Sequence, residues 1–228
     1  MGIPVYRGNS EMPPQKRPSK APYFIAGIAA VATAALVLLG LNHFAPIGEA
    51  APDFSTPVPS TVPAFVSDEF GFSVRFPAKP TRQDRDLNQG GQKITIITFI
   101  SAGSGNRGFG ASTFTSVCTP KGDDVGTRLK VSADGSVTGA ASASGSTSEV
   151  QKQTPITIQG HPGLQTEFTL AKDGSTLHMV DAVVIDGPRF YSLTATNPAT
   201  GAWDNFLKSF KITKDPAPLP ECAPFATT

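Results

Sequence analysis

Charged residues are scarce in this sequence. They account for 16% of its 228 residues, against about 25% in a typical globular protein. The formal net charge is +1, so the sequence predicts no basic surface of the kind that binds nucleic acid or anionic lipid. Serine, threonine, glycine and proline take the place of charge. This composition favours strands and turns over long surface helices, which are usually rich in glutamate and lysine.

Motifs for catalysis and for cofactor binding are also missing. The three histidines, His43, His161 and His178, are too dispersed to supply the three or four convergent ligands of a zinc site. No Gly-x-Ser-x-Gly sequence places a nucleophilic serine between a strand and a helix. The glycine-rich stretch 103–110 (GSGNRGFG) lacks the lysine and the following helix of a phosphate loop, so a hairpin connection is the better interpretation. We therefore predict no catalytic residue, no metal site and no cofactor.

One catalytic alternative stays open. His161 or His178, paired with Asp181 or Asp186, would supply the base and the orienting acid of a hydrolase. The favoured interpretation is that one histidine lies in a solvated turn and the other on a strand surface.

A single long apolar stretch is present, at residues 23–41 (YFIAGIAAVATAALVLLGL). Nineteen helical residues span about 28 Å, close to the ~30 Å hydrocarbon thickness of a bilayer. The basic residues Lys16, Arg17 and Lys20 precede it, whereas the next basic residue after it is Arg75. The positive-inside rule therefore predicts a cytoplasmic N-terminus and a C-terminal part on the other side of the membrane.

The alternative for this stretch is a cleaved signal peptide, with cleavage before Ala51 releasing a secreted domain. We favour an uncleaved anchor because the apolar stretch is long for a signal peptide and ends well before that position. The predicted organisation of the chain is a disordered cytoplasmic tail (1–22), a transmembrane helix (23–41), a Pro-rich linker (42–64), an extracytoplasmic domain (65–214) and a C-terminal tail (215–228).

Alternating apolar residues predict strands through most of the domain. The predicted strands are 72–76, 93–101, 109–117, 154–159, 164–171, 176–185 and 189–196. Asp186-Gly187 between two apolar stretches is typical of a hairpin turn. The segment between the predicted strands 109–117 and 154–159 is rich in glycine and serine. It predicts a short helix within 123–131, capped by Asp123 or Asp124, and a loop at 139–148.

A final helix at 199–209 is predicted to place Trp203, Phe206, Leu207 and Phe210 against the sheet rather than around a ligand. Helices beside an antiparallel sheet make an α+β domain.

Two cysteines, Cys118 and Cys222, both follow the apolar stretch. On an oxidising side of a membrane such a pair is predicted to form a disulfide. Two free buried thiols are the alternative.

Several stretches resemble the PsbP-like superfamily. They are FGFSVRFPAKP at 70–80, GHPGLQTEF at 160–168, GPRFYSLTAT at 187–196 and WDNFLKSFKI at 203–212, and the resemblance covers about 65–212. It implies an α/β/α sandwich around a central antiparallel sheet, and a role as an accessory or binding subunit. It transfers no functional residue.

These observations predict a non-enzymatic, membrane-anchored envelope protein whose extracytoplasmic domain binds an envelope protein partner. A small-molecule binder or carrier is the first alternative, and the histidine-based hydrolase is the second.

Overall fold

The computed structural model describes residues 54–55, 59, 61–89 and 92–223. Within these residues the chain forms ten strands and two helices. In chain order they are β1 (Phe65–Ser67), β2 (Phe72–Val74), β3 (Thr81–Gln89), β4 (Gln92–Ala102), β5 (Gly108–Thr115), α1 (Asp123–Ser144), β6 (Thr147–Ile158), β7 (His161–Lys172), β8 (Ser175–Asp186), β9 (Arg189–Thr196), α2 (Ala202–Ser209) and β10 (Lys211–Ile212).

The centre of the fold is a seven-stranded antiparallel sheet, ordered β3-β4-β5-β9-β8-β7-β6. Helix α1 packs on one face, over β6, β7 and β8. Helix α2 and a small antiparallel sheet, ordered β1-β2-β10, cover the other face. The predicted α+β class, with helices flanking an antiparallel sheet, is confirmed.

Aromatic side chains fill the core on the α2 face. Phe72 and Phe206 are fully buried, and the Phe206 ring centroid lies 5.0 Å from that of Phe109. Phe210 packs edge-on against Tyr191 at 5.2 Å. Phe109 and Tyr191 belong to the large sheet, and Phe72 of the small sheet lies 5.9 Å from Phe210. The predicted packing of the final helix against the sheet is confirmed.

Two glycines of the stretches that carry the resemblance are required by close backbone approach. A Cβ atom at Gly71, where φ is +64°, would lie 2.8 Å from the carbonyl oxygen of Lys214. A Cβ at Gly163 would lie 2.8 Å from the carbonyl oxygen of Val183 on the neighbouring strand. Any larger residue would force the backbone apart at these two positions.

Helix α1 corrects the predictions for the middle of the chain. It has 22 residues instead of a single short segment within 123–131, and the loop predicted at 139–148 is wrong because helix and strand occupy most of it. Neither Asp123 nor Asp124 caps the helix; the N-cap is Gly122, and Asp124 instead forms an ion pair with Arg128 one turn later.

The inner face of α1 explains why the helix was underestimated. Its buried positions carry small side chains, among them Ser132, Ser136 and Ala140, each fully buried. Small residues let the helix backbone approach the sheet closely, but they give no hydrophobic periodicity for a sequence pattern to reveal.

The disulfide prediction is confirmed. Cys118 and Cys222 are bonded, with Cα atoms 4.9 Å apart. Beside the bond, the Thr119 N–H donates to the carbonyl of Pro220 and the Cys222 N–H donates to the carbonyl of Thr119, at 2.8 and 2.9 Å. The disulfide therefore fixes the C-terminal segment against the chain that leads into α1.

Among the described residues of the predicted linker, Phe54 belongs to the core. Phe54 is 3% exposed, and its ring centroid lies 6.1 Å from that of Phe109. The predicted cytoplasmic tail (1–22) and membrane span (23–41) lie outside the described residues. Over the part of the chain that the structure describes, neither helix combines the length and the apolar character needed to cross a bilayer.

Candidate functional site: an open cleft beside helix α2

Helix α2 leaves part of its face of the sheet uncovered. It has eight residues, which span about 12 Å. Strands β7 and β8 have twelve residues each, which span about 40 Å. The uncovered part of the sheet, next to the start of α2, forms the floor of a cleft.

The cleft has a volume of about 520 Å³, within the range of small-ligand sites. Its lining comes from β6, β7, β8, the loop after β9 and the first turn of α2. The lining residues are Gln151, Gln165, Glu167, Phe168, His178, Met179, Val180, Asn197, Pro198, Trp203 and Asp204. We call this site the α2 cleft.

Hydrogen bonds order one wall of the α2 cleft. The Trp203 indole N–H donates to Gln165 Oε1 at 3.0 Å, and Gln165 Nε2 donates to Glu167 Oε1 at 3.2 Å. The Gln165 carbonyl oxygen and one of its N–H groups are thereby occupied. Glu167 keeps a second carboxylate oxygen with acceptor capacity towards the cleft.

Asn197 forms the opposite end of the α2 cleft in a conformation that few residues adopt. Its φ is +41°, and such backbone strain often marks functional sites. Two hydrogen bonds to His178 hold it there: the His178 N–H donates to Asn197 Oδ1 at 3.0 Å, and the Asn197 N–H donates to the His178 carbonyl at 2.8 Å. With Oδ1 occupied, the side-chain NH₂ of Asn197 is the group left to donate to a ligand.

Carboxylates are the ionised groups of the lining. Glu167 on β7 and Asp204 on α2 supply them, and no lysine or arginine is among the lining residues that belong to the described part of the chain. Lys152 lies directly across from Glu167 in the β6–β7 pairing, at the exposed edge of the sheet. Glu149, also exposed, lies two cross-strand pairs further along that edge, opposite Thr169.

The residues considered for a hydrolase are separated by the fold. Alternate residues of a strand point to opposite faces, so His178 lies on the α2 face whereas Asp181 lies beneath α1. His161 and Asp186 do meet, with Nδ1 and Oδ1 3.3 Å apart. This pair would supply a base and an orienting acid, but a hydrolase also needs a nucleophile, which the pair itself does not provide.

Asp181 is the most deeply buried carboxyl group of the sheet, at 1% exposure. Ser192 Oγ and Thr194 Oγ1 each donate to its Oδ1 at 2.7 Å, and the Ser136 hydroxyl reaches it from α1. Burial raises the pKa of Asp181 above its usual range, and these hydroxyl donors only partly offset the increase. Asp181 therefore belongs to a polar contact between α1 and the sheet and not to the α2 cleft.

Sequence reasoning singled out two residues of the cleft. His178 was considered as a base, and Trp203 was predicted to be a core residue. Trp203 is 7% exposed, and its edge lines the cleft. The other polar residues were missed because they come from four distant segments and form no motif. Within the described residues, no three histidine, cysteine or acidic side chains converge as a metal site would require.

Comparison with solved structures shows that the fold is PsbP-like. The chain is similar to the solution structure of the cyanobacterial PsbP protein CyanoP from Synechocystis sp. PCC 6803, at 13% identity and a TM-score of 0.50, over 75% of this chain and 98% of that one. LpqN of Mycobacterium tuberculosis, a protein involved in cell envelope biogenesis, matches at 15% identity and a TM-score of 0.36, over 74% of this chain and 88% of that one. No protein-family model and no curated protein sequence matches the chain.

Proposed function

We propose that this chain is a non-catalytic binding module, anchored in the cell membrane by residues 23–41 and displaying its domain on the non-cytoplasmic side as part of the cell envelope. The observation that carries the binding role is the α2 cleft: a preformed, solvent-open site whose polar groups are oriented by hydrogen bonds. The disulfide supports the non-cytoplasmic location, because such bonds persist in oxidising compartments.

The occupant of the cleft is either part of a partner protein or a free small molecule. An accessory role with an envelope protein agrees with what the PsbP-like resemblance implies. The cleft volume supports the small-molecule alternative, because about 520 Å³ accommodates a small organic ligand. A hydrolase role has weaker support, since the His161–Asp186 pair supplies a base and an orienting acid but not the nucleophile that hydrolysis would need.

Photo-crosslinking at adjacent residues of β6 tests the binding role. Gln151 and Val150 are both exposed, but only Gln151 lines the cleft. A photoreactive amino acid at position 151 of the full chain, irradiated in intact cells, is expected to give a discrete adduct, and the same group at position 150 is not. Gel shift and mass spectrometry measure the adduct. Identical adducts from both positions, or none from position 151, would contradict a ligand in the cleft.

Reporter fusions test the proposed topology separately. An alkaline phosphatase fused after Thr61 is expected to be active, because that enzyme needs an oxidising compartment to form its disulfides. A β-galactosidase fused at the same position is expected to be inactive. The reverse pattern would place the domain in the cytoplasm and reject the envelope assignment.

A further inference from the structure

The charged hydrogen-bonding groups that the α2 cleft leaves free are acceptors. The Trp203 N–H, the Gln165 carbonyl oxygen and one Gln165 N–H are occupied by the hydrogen bonds that join Trp203, Gln165 and Glu167. The lining also offers the carboxylate of Asp204, the second oxygen of Glu167, the other N–H of Gln165, the Gln151 amide, the NH₂ of Asn197 and the His178 ring. Of these groups, the two carboxylates are the strongest, and they can only accept. A ligand rich in donors therefore satisfies this site better than a ligand rich in acceptors.

The charge of the lining also favours a donor-rich ligand and disfavours an anionic one. Glu167 and Asp204 lie on two different walls, one on β7 and one on α2, so their negative potential extends across the cleft. Lys152 and Glu149 at the exposed edge are of opposite sign and largely cancel each other at a distance. An anionic ligand would meet two carboxylates, and within the described residues no lysine or arginine lines the cleft to compensate for them.

The apolar part of the lining favours an organic cation over an inorganic one. Val180, Pro198 and the edge of the Trp203 indole lie between the acidic groups. A metal ion would leave this surface unused and would find too few converging oxygen ligands, because calcium takes six to eight. An alkyl ammonium ion matches both parts of the site: its carbon chain contacts the apolar surface, and its N–H groups donate to the carboxylates.

We propose that the α2 cleft binds an organic ammonium group, with Glu167 and Asp204 as its counter-charges. This inference rests on the proposed binding function and names the ligand chemistry for the same site. The ammonium group belongs either to a free alkylamine or to a lysine side chain of a partner protein, and both present the same chemistry to the cleft.

Trp203 provides a direct measurement, because it is the one tryptophan in the 228-residue chain. Its fluorescence, and its single indole ¹H–¹⁵N signal, report on the wall of the cleft that Trp203 forms with Gln165. The full chain in lipid nanodiscs is titrated with pentane-1,5-diamine, with pentane-1,5-diol and with glutarate at constant ionic strength. The three probes have the same five-carbon chain and differ in charge and in their capacity to donate or accept.

The diamine is expected to give a saturable change at Trp203 with a Kd on the order of 1 mM, as suits a seven-atom ligand. The diol is expected to bind at least about tenfold more weakly, and glutarate not to bind. Nα-acetyl-lysine amide distinguishes the two sources: tighter binding than the diamine indicates a lysine side chain, and weaker binding indicates a free amine.

Variants connect the signal to the two carboxylates. Glu167→Gln and Asp204→Asn are each expected to weaken diamine binding about five- to tenfold. Glu149→Gln, which removes an exposed carboxylate of the same sheet edge outside the lining, is the matched control and is expected to change Kd less than about twofold. Lys152→Gln is expected to tighten binding, because it removes the cation facing Glu167.

The result that overturns the inference is a Trp203 response that does not depend on the ammonium group. Equal binding of diol and diamine, equal effects of Glu149→Gln and Glu167→Gln, or a matching response to calcium chloride would each have this effect. A crosslink specific to position 151 would still support a binding module in those cases. Absence of both the crosslink and the diamine response would reject the proposed function together with the ligand class.

Discussion

Replacing both cysteines (Cys118→Ser with Cys222→Ser) is expected to lower the free energy of unfolding by about 3–5 kcal/mol. The bond joins residues 104 positions apart, and closing a loop of that length restricts the unfolded chain strongly, by about 4.7 kcal/mol from chain entropy. The loss corresponds to a decrease of roughly 10 °C in Tm for a domain of this size. Thermal and urea unfolding of the full chain in detergent, followed by circular dichroism, measure it.

Reduction of the unmodified protein is the control for this variant. A reducing agent should lower the stability of the wild type to that of the double variant and should leave the double variant unchanged. The isolated β-bridge between Thr119 and Glu221 is expected to open in the reduced protein and in the double variant. The disulfide is the covalent link that holds the C-terminal segment beside it. A double variant within about 0.5 kcal/mol of wild type would show that the hydrogen bonds alone hold that segment.

Asp181→Asn is expected to stabilise the protein at neutral pH and to have less effect in acid. Burial raises the pKa of Asp181 in the folded state, whereas in the unfolded chain it stays near the usual value of about 3.9. The folded protein therefore binds the proton more tightly, and stability falls as the pH rises from about 3.9 to the folded-state value. The neutral amide removes this loss while its oxygen still accepts from Ser192 and Thr194.

The difference between Asp181→Asn and wild type is expected to grow with pH by about 1.4 kcal/mol for each unit by which burial raises the pKa. Urea unfolding at several pH values between 4 and 8 measures it. Asp173→Asn is the matched control, because Asp173 is exposed in the turn between β7 and β8; it is expected to leave the pH dependence unchanged. A pH-independent difference for Asp181→Asn would mean that ionisation of this group does not oppose folding.

Strands with one buried face could be predicted from the sequence. Strand β3 was missed and helix α1 was underestimated, and both have the same physical cause. Strand β9 was predicted at its observed bounds. Its side chains are mostly buried, several of them are apolar or aromatic, and a turn precedes it. Strand β3 (TRQDRDLNQ) was missed because it pairs with β4 through its backbone while its described side chains are mostly exposed. A strand held by backbone hydrogen bonds leaves little trace in a hydrophobic pattern.

Helix α1 was underestimated for the related reason that most of its buried residues are serine, alanine and glycine, with Leu129 and Val137 as the buried aliphatic residues. The polar residue that this face meets, Asp181, was considered in the sequence only as a partner for a histidine. Which face of β8 it occupies depends on the register of β8, and that register is set by turns and by neighbouring strands. The α2 cleft was beyond sequence reasoning because it results from the shortness of α2 and from residues brought together only by the fold.

The two outer strands of the large sheet matter for the proposed membrane anchoring, which would hold copies of the domain close together. A free sheet edge offers unpaired N–H and C=O groups to any similar chain, and domains tethered at high local density meet such edges often. Along β3, Arg82, Asp84 and Asp86 place charge beside that edge. On β6, the register shift between Val150 and Lys152 bends the strand, and Pro155 lacks an N–H to donate. Both edges are thus poor templates for a further strand, so neighbouring copies are not expected to join their sheets into fibres.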